Sequence, residues 1–557
     1  MEAAHACERS LLEGPPGYPV DLKGMSSGMA GLLGMAGASL LLSACTDEQL
    51  GPPTDEDAAR FLAQASLAAT QADSAALMQL GYSAWLDQQF AQPLSTSLWA
   101  WMLAHGFGDA QYKSTDVGMD NALWFRLLNA QDGLRQRVVL ALSEIFVVSL
   151  RNMPVPWGPF LCVAYWETLE AHCFGNFRDL LERIALSPAM GVYLSMRGSQ
   201  KEDASGRRPD ENFARELMQL FTIGLVQLNI DGSPKLDAQG QAVATYNNDD
   251  VRGLARVFTG WDFDAFDASK PDYASRPMVF NAGEHSTMDK AFLGIAIAGS
   301  TPGEQAFKQA LDTVFQHPNV GPFLARRLIQ RLTSSNPSGG YIARVARIFN
   351  DNGSGVRGDM QAVIRAVLMD GEARLGLTPL PSDEAGKLRE PILRFLQWAR
   401  MVRLQCSDDL WNVGDLSGPD RLGQSPLRAP SVFNFFRPGY VPRQTALAVQ
   451  DMVAPEFQIT DESTVIGYAN FMFWMLPNGA SNITVDYSDW LPLASTPAAL
   501  VDRLNLLLTG RSLSSTLVSD LTTALATLPL DQADGAKRRV ITAMLTILCS
   551  PEYLVQA

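Results

Sequence analysis

The chain has 557 residues, 47% hydrophobic and 18% charged, which is enough apolar material for a large core and excludes a mainly disordered polypeptide. Against 44 basic residues stand 59 acidic ones, for a net charge of −15. There is no basic block, and phosphate contacts need clustered Lys and Arg, so a nucleic-acid partner is not expected. At about 100–200 residues per domain the length allows about three to five units, or one large helical body.

From Gly24 to Cys45 there is no charged residue, and the stretch is rich in Leu, Met, Ala and Gly after Lys23. A short apolar segment ending in small residues predicts a signal peptide. Its ending, Leu42-Ser43-Ala44-Cys45, resembles the bacterial lipobox, in which the Cys is acylated. That predicts lipidation at Cys45 and an exported protein, periplasmic or at the outer membrane or cell surface, held to membrane lipid. The other readings are a plain secretory signal or a short anchor, the latter marginal in length for a bilayer core of about 30 Å. Residues 1–22 carry Glu2, Glu8, Glu13 and Asp21, unlike a basic n-region, so either Met25 is the start or the leader is unusual.

Beyond the leader the apolar spacing is mostly three and four, which predicts helices. They fall over residues 55–92, 134–150, 163–186 with a break near Gly175, 210–224, 248–260, 306–316, 320–333, 338–350, 358–370, 384–404, 498–509, 513–527 and 533–548. Asp231-Gly232 and Asp237–Gly240 are turn signals between short segments and predict a β-hairpin near 226–246. Residues 198–210 and 265–305 read as loops, and Pro379 and Pro381 mark a linker. The expected fold is mainly α, a large multi-helix body with a minor β-hairpin insertion. The expected organisation is a leader over 1–45, a helical body over 46–375, and a C-terminal helical part over 376–557 packed on the same body.

Motif searches mostly fail: there is no HExxH, no Walker A loop and no dinucleotide fingerprint. A GxSxG match at Gly24–Gly28 lies inside the leader and is chance. The five His are scattered, which disfavours a multi-His metal site, and without a CxxC a thiolate zinc site is not expected. Cys162 and Cys173 either pair or, more commonly for such residues, remain buried free thiols. Asn229-Ile230-Asp231-Gly232-Ser233 opens like a calcium loop, but the Gly is misplaced and no Glu closes it, so a hairpin turn is the simpler reading. Whether any metal or cofactor binds is not readable.

The most distinctive segment is residues 209–224, PDENFARELMQLFTIG. Phe213, Leu217 and Leu220 share one helix face, while Asn212, Arg215, Glu216 and Gln219 form a polar stripe opposite. The plain reading is a solvated face with a Glu211–Arg215 ion pair. The sharper reading is a polar cluster facing a cleft, where amide, guanidinium and carboxylate orient a polar substrate or hold a hard cation.

This segment, followed by Asp250-Val251 and Ala255–Trp261, resembles the domain-of-unknown-function-1800 family of exported bacterial proteins. The likeness continues through Phe174–Arg178, Ser187–Met190, Gly283–His285, Phe323–Leu328, Lys387–Pro391, Ser431–Phe436 and Ser550–Tyr553. Asp210 stands where the family more often has Asn, Phe221 where many members have His, and Ser286 where Asp is common. The resemblance carries no reaction. It implies a helical exported protein, often encoded beside a sulfatase- or phosphatase-like exported protein, which suggests that protein as a partner.

His285, with Glu284 and Asp289 in a polar loop, is either solvated or a proton-transfer group, as His titrates near neutrality. Trp261 is a packing residue or a stacking surface for a ligand. Asn434, Arg437 and Tyr440 sit in an aromatic stretch that is core packing or the lining of a cleft. Two functions are therefore expected. The first is a hydrolase-like enzyme acting on an envelope or extracellular polymer, with Glu216, His285 and Arg215 catalytic and Asn212, Gln219, Trp261, Asn434 and Arg437 binding substrate. The alternative is a non-catalytic envelope scaffold or accessory partner.

Overall fold

The computed structural model describes residues 50–374 and 385–556. The leader with Cys45, and the linker at Pro379 and Pro381, lie outside the described residues. The fold is mainly α, and among the described residues there are four two-stranded antiparallel sheets. Among the described residues no helix is long and apolar enough to cross a membrane.

The predicted span 55–92 forms three helices, Asp55–Ala65, Gln71–Leu80 and Tyr82–Ala91, separated at Ser66–Thr70 and at Gly81. Thr54 starts the first with a reciprocal cap to Asp57, and Asp55, Glu56 and Asp57 oppose the positive end of the helix dipole. The central helix, Gly133–Ile145, is buried on every side. Around it pack Gly158–His172 and Val320–Leu332, and the latter carries Gly339–Asn350 and Met360–Leu368. The C-terminal helix Pro497–Thr509 packs against both Gly535–Leu548 and the first helix, Asp55–Ala65. Lys387-Leu388 pairs with Val555-Gln556, tying the end of the described chain to the middle. Buried apolar side chains from Ala58 to Tyr553 form one continuous core.

Three departures from the sequence reading have physical causes. Residues 385–390 are not helical; the helix begins at Pro391, since Lys387-Leu388 is drawn into strand pairing and proline suits a first helical position. The helices Leu98–Ala104, Met119–Asn129 and Glu462–Asn478 are not among those expected from the sequence; the last is apolar nearly all round and lacks a periodic signal. The span 210–224 is α only over Asn212–Glu216 and then widens to a π-helix, Leu217–Thr222. Thr222 Oγ1 donates to Leu217 O, five residues back, at 2.5 Å.

The 226–246 excursion is a closed β-turn structure. The Gln227 N–H donates to Val243 O, the Val243 N–H to Lys235 O and the Lys235 N–H to Gln227 O, so three short segments bond in a ring. Cys162 and Cys173 are buried free thiols.

Helix Asn248–Val257 lies directly on strand Lys290–Phe292: a Cβ on Gly253 would sit 1.7 Å from Ala291 O. Gly253→Ala is expected to cost about 1–3 kcal/mol in urea denaturation, because helix and strand must separate. A change below about 0.5 kcal/mol, the range of neutral surface substitutions, would contradict this packing.

Candidate functional site

Glu216 lies at the junction of the α and π turns and is only 8% exposed. Asp210 starts this turn by accepting the Asn212 N–H at 2.8 Å. Asn212, Arg215 and Gln219 are half-buried, so of the predicted stripe only the carboxylate turns inward. Arg215 is committed to Glu211 at 3.0 Å, which is the ion pair of the plain reading. Among the described residues Glu216 Oε2 is buried without a hydrogen-bond partner. Burial raises the Glu216 pKa to about 7, against the opposing pull of Arg215. Two phenols feel its charge. Tyr193 and Tyr246 are each pushed up to about 12, first by burial. Tyr246 Oη donates to Gln219 Oε1 at 3.3 Å, whereas the buried Tyr193 hydroxyl has no partner among the described residues.

Two residues beyond Tyr193 the chain enters an open hollow of about 270 Å³, lined by Ser195, Arg197, Ser199, Arg207, Arg208 and Asp210 among others. Its far wall is stitched to the Trp261 and His285 segments. The Gly198 N–H donates to Trp261 O at 2.9 Å, the Gly260 N–H to Ser199 O at 2.8 Å, and the Lys201 N–H to Glu284 O at 2.8 Å.

His285 is buried. Its Nδ1 lies 2.9 Å from Thr259 O and 3.2 Å from Thr259 Oγ1, and its Nε2 has no partner among the described residues. Burial lowers its pKa, the Thr259 carbonyl opposes this, and the Lys290 charge adds to it. Beside it Glu202 accepts from Arg256 Nε at 2.6 Å and from Ser286 Oγ at 2.7 Å. The groups acting on Glu216 and on His285 are different, and no interaction joins the two among the described residues. Trp261 packs against Phe280 and Phe307 at 5.4 and 4.8 Å between ring centres.

Asn434 and Arg437 lie elsewhere. Arg437 stacks over Phe433 at 4.7 Å. Asn434 is buried and lines an interior cavity of about 10 Å³, room for one water, together with Ser143, Glu144, Gln424 and Ser425. This cavity adjoins a buried charge network that the sequence reading missed. Arg331 Nη1 meets Glu144 Oε2 at 3.1 Å, and Lys387 Nζ meets Glu390 at 3.3 Å and Glu456 at 3.0 Å. Gln424 Nε2 donates to both Glu144, at 2.8 Å, and Glu390, at 2.9 Å. Burial and the neighbouring Glu390 charge hold the Glu144 carboxyl well above its ordinary pKa. Burial also opposes ionisation of Glu390, but Lys387 and Arg331 overcome it and hold Glu390 below its ordinary value. The available signal was a lone Glu in the apolar run Val138–Phe146 and the charges crowded at Lys387–Glu390. Among the described residues no group of three or more His, Cys, Asp or Glu is placed to hold a metal ion.

The model of a family described as "Protein of unknown function (DUF1800)" matches residues 60–555. The chain belongs to the DUF1800 family. No curated protein and no solved structure matches it. The match spans the Glu216 turn, the 195–210 hollow and the charge network alike. The segments Lys387–Pro391 and Ser431–Phe436, on which the DUF1800 resemblance drew, meet at the small interior cavity through Glu390, Gln424 and Asn434.

Proposed function

We propose that this DUF1800 protein is an exported, lipid-anchored enzyme of hydrolase type, acting on an envelope or extracellular polymer, with Glu216 as its general acid. One observation carries the reading: a buried carboxyl with an unpartnered oxygen and a pKa near 7 acts on the Tyr193 hydroxyl, and Tyr193 stands two residues before Ser195 of an open polar hollow. A carboxylic acid that keeps its proton near neutrality protonates a leaving group, and such groups contribute about 10²–10⁴-fold to rate. In this reading Tyr193 positions the bond to be cut, Asn212 and Gln219 bind at the rim, and Arg215 keeps Glu211 from the site. In the same reading His285 is a second proton-transfer group, since its buried, weakly basic Nε2 suits a neutral proton acceptor. Lipid at Cys45 holds the enzyme at the membrane. The test is a broad panel of glycoside, ester and phosphoester substrates on purified wild type and Glu216→Gln. Equal activity in the two proteins removes Glu216 from the mechanism.

A second reading, an accessory protein for a co-exported sulfatase- or phosphatase-like partner, is favoured by the helix Glu462–Asn478. Ile466 and Phe473 are 61% and 67% exposed and lie on one face with Trp474. Uncovered aromatics on one helix face are characteristic of docking surfaces. Phe473→Asp is expected to abolish co-purification with that partner without changing the thermal midpoint, and retained co-purification contradicts the reading.

A further inference from the structure

The hollow that opens at Asp210, ahead of the Glu216 turn, gathers guanidinium groups in an otherwise acidic molecule. The chain as a whole is at −15. Yet the hollow is lined by three guanidinium groups, Arg197, Arg207 and Arg208, against the single carboxylate of Asp210, with Ser195 and Ser199 supplying hydroxyls. Asp210 Oδ1 is already bonded to the Asn212 N–H. Arg197 is held by Asp262 at 2.7 Å, and Arg207 by Asp203 at 3.4 Å and by Lys201 O at 3.0 Å. Those bonds fix two guanidinium groups in place. Arg208 is exposed and has no partner among the described residues. Fixed guanidinium groups and one uncommitted one form a fork for an oxyanion.

The rim adds an aromatic surface. The Arg197 guanidinium lies over Phe263 at 4.0 Å, and Phe263 stacks on Phe266 at 5.5 Å between ring centres. Phe266 is 48% exposed. Hydroxyl-rich ligands with apolar faces use such a combination, one face on the ring and the polar groups on neighbouring hydroxyls and charges. Ser195, at φ +59°, and Gly198, at φ +73°, hold the loop in left-handed backbone, and a Cβ on Gly198 would meet nothing within 4 Å. The hollow is thus open to a ligand rather than filled by its own loop.

We infer that the Arg197–Arg207–Arg208 hollow binds the oxyanion of an acidic saccharide, with the sugar ring against Phe266. This names the substrate class of the enzyme proposed above. It rests on that reading only for turnover, because binding is argued from the hollow alone.

The experiment is calorimetric titration of the full chain at low salt with sodium oligogalacturonate, inorganic sulfate and inorganic phosphate. It is carried out on wild type, Arg208→Gln, Arg207→Gln, Glu216→Gln and Arg538→Gln, the last an exposed arginine outside the hollow that matches the change in net charge. The saccharide is expected to bind wild type, Glu216→Gln and Arg538→Gln alike, at least about tenfold more tightly than either inorganic ion. Binding should weaken at least about tenfold in Arg208→Gln and fall with added salt. Absence of saccharide binding to wild type, wild-type affinity in both Arg208→Gln and Arg207→Gln, or inorganic ions binding as tightly as the saccharide would each overturn the proposal. Binding intact in an inactive wild type would count against the enzyme reading and leave this one standing.

Discussion

Lys387→Met is expected to destabilise the protein by about 3–5 kcal/mol, a large fraction of the stability of any domain. The ammonium is wholly buried between Glu390 and Glu456 and also donates to Gln330 O and Arg331 O, each at 3.0 Å. Methionine fills the same volume, so packing is nearly conserved and the loss is electrostatic. Two carboxylates are left in the interior with one fewer cation, and two backbone carbonyls lose their donor. Arg252→Met is the matched control. Its partners, Glu211 at 3.8 Å and Asp249 at 2.9 Å, are exposed or half-exposed, and such pairs contribute about 0–1 kcal/mol. Urea denaturation of the two variants measures the difference, and a Lys387→Met cost no larger than that of Arg252→Met would show that the network does not hold the core. The consequence for architecture is direct. Glu144 lies on the central helix, Arg331 on Val320–Leu332, Glu390 just before Pro391–Met401 and Glu456 beyond residue 450, so this network clamps four segments far apart in the chain.

Glu216→Gln is expected to lower kcat by about 10²–10⁴ while raising stability at alkaline pH. The carboxyl is raised to about 7 from an ordinary 4.5, so between those values the native state holds a proton that the unfolded chain has lost. Stability is therefore full below pH 4.5, declines as pH rises toward 7 and is level above it; the two and a half units correspond to about 3 kcal/mol. The charges and ionisable groups acting there are Arg215, Tyr193 and Tyr246, and the phenols stay neutral through this range because both are pushed up to about 12. Glutamine keeps the shape and removes the titration. The variant should match wild type near pH 4.5 and exceed it by up to about 3 kcal/mol at pH 8. Activity of the wild type should fall about tenfold per unit above pH 7, since a general acid works only while protonated. Loss of activity with no gain in alkaline stability would mean that Glu216 is not an uncompensated buried acid.

Helices were legible where one face is apolar and the other polar. Met360–Leu368 and Asn248–Val257 show that pattern, and their spacing predicts both to within a few residues. Glu462–Asn478 lacks the pattern, because its exposed face carries Ile466, Phe473 and Trp474 in place of polar residues. The stripe at Asn212, Arg215, Glu216 and Gln219 was also legible, but not that Glu216 alone faces inward. That depends on Tyr193 and Tyr246, which reach it from other segments. Nor does periodicity report that Glu144 meets Arg331, or that His285 and Glu216 face different neighbours. Charge pairs across nearly 200 residues are settled by packing, and local spacing carries no trace of them. The same holds for Asn434, which is buried at the small cavity with its backbone at φ +60°.

The central claim, that the Glu216 carboxyl keeps its proton up to a pH near 7, is tested most directly by infrared titration of the protonated carboxyl band. Subtracting the Glu216→Gln spectrum from that of wild type isolates the one group. A band that persists to pH 6 and vanishes with a midpoint near 7 is the expected result. A midpoint at or below 4.5 would show an ordinary solvated carboxylate and would contradict the account.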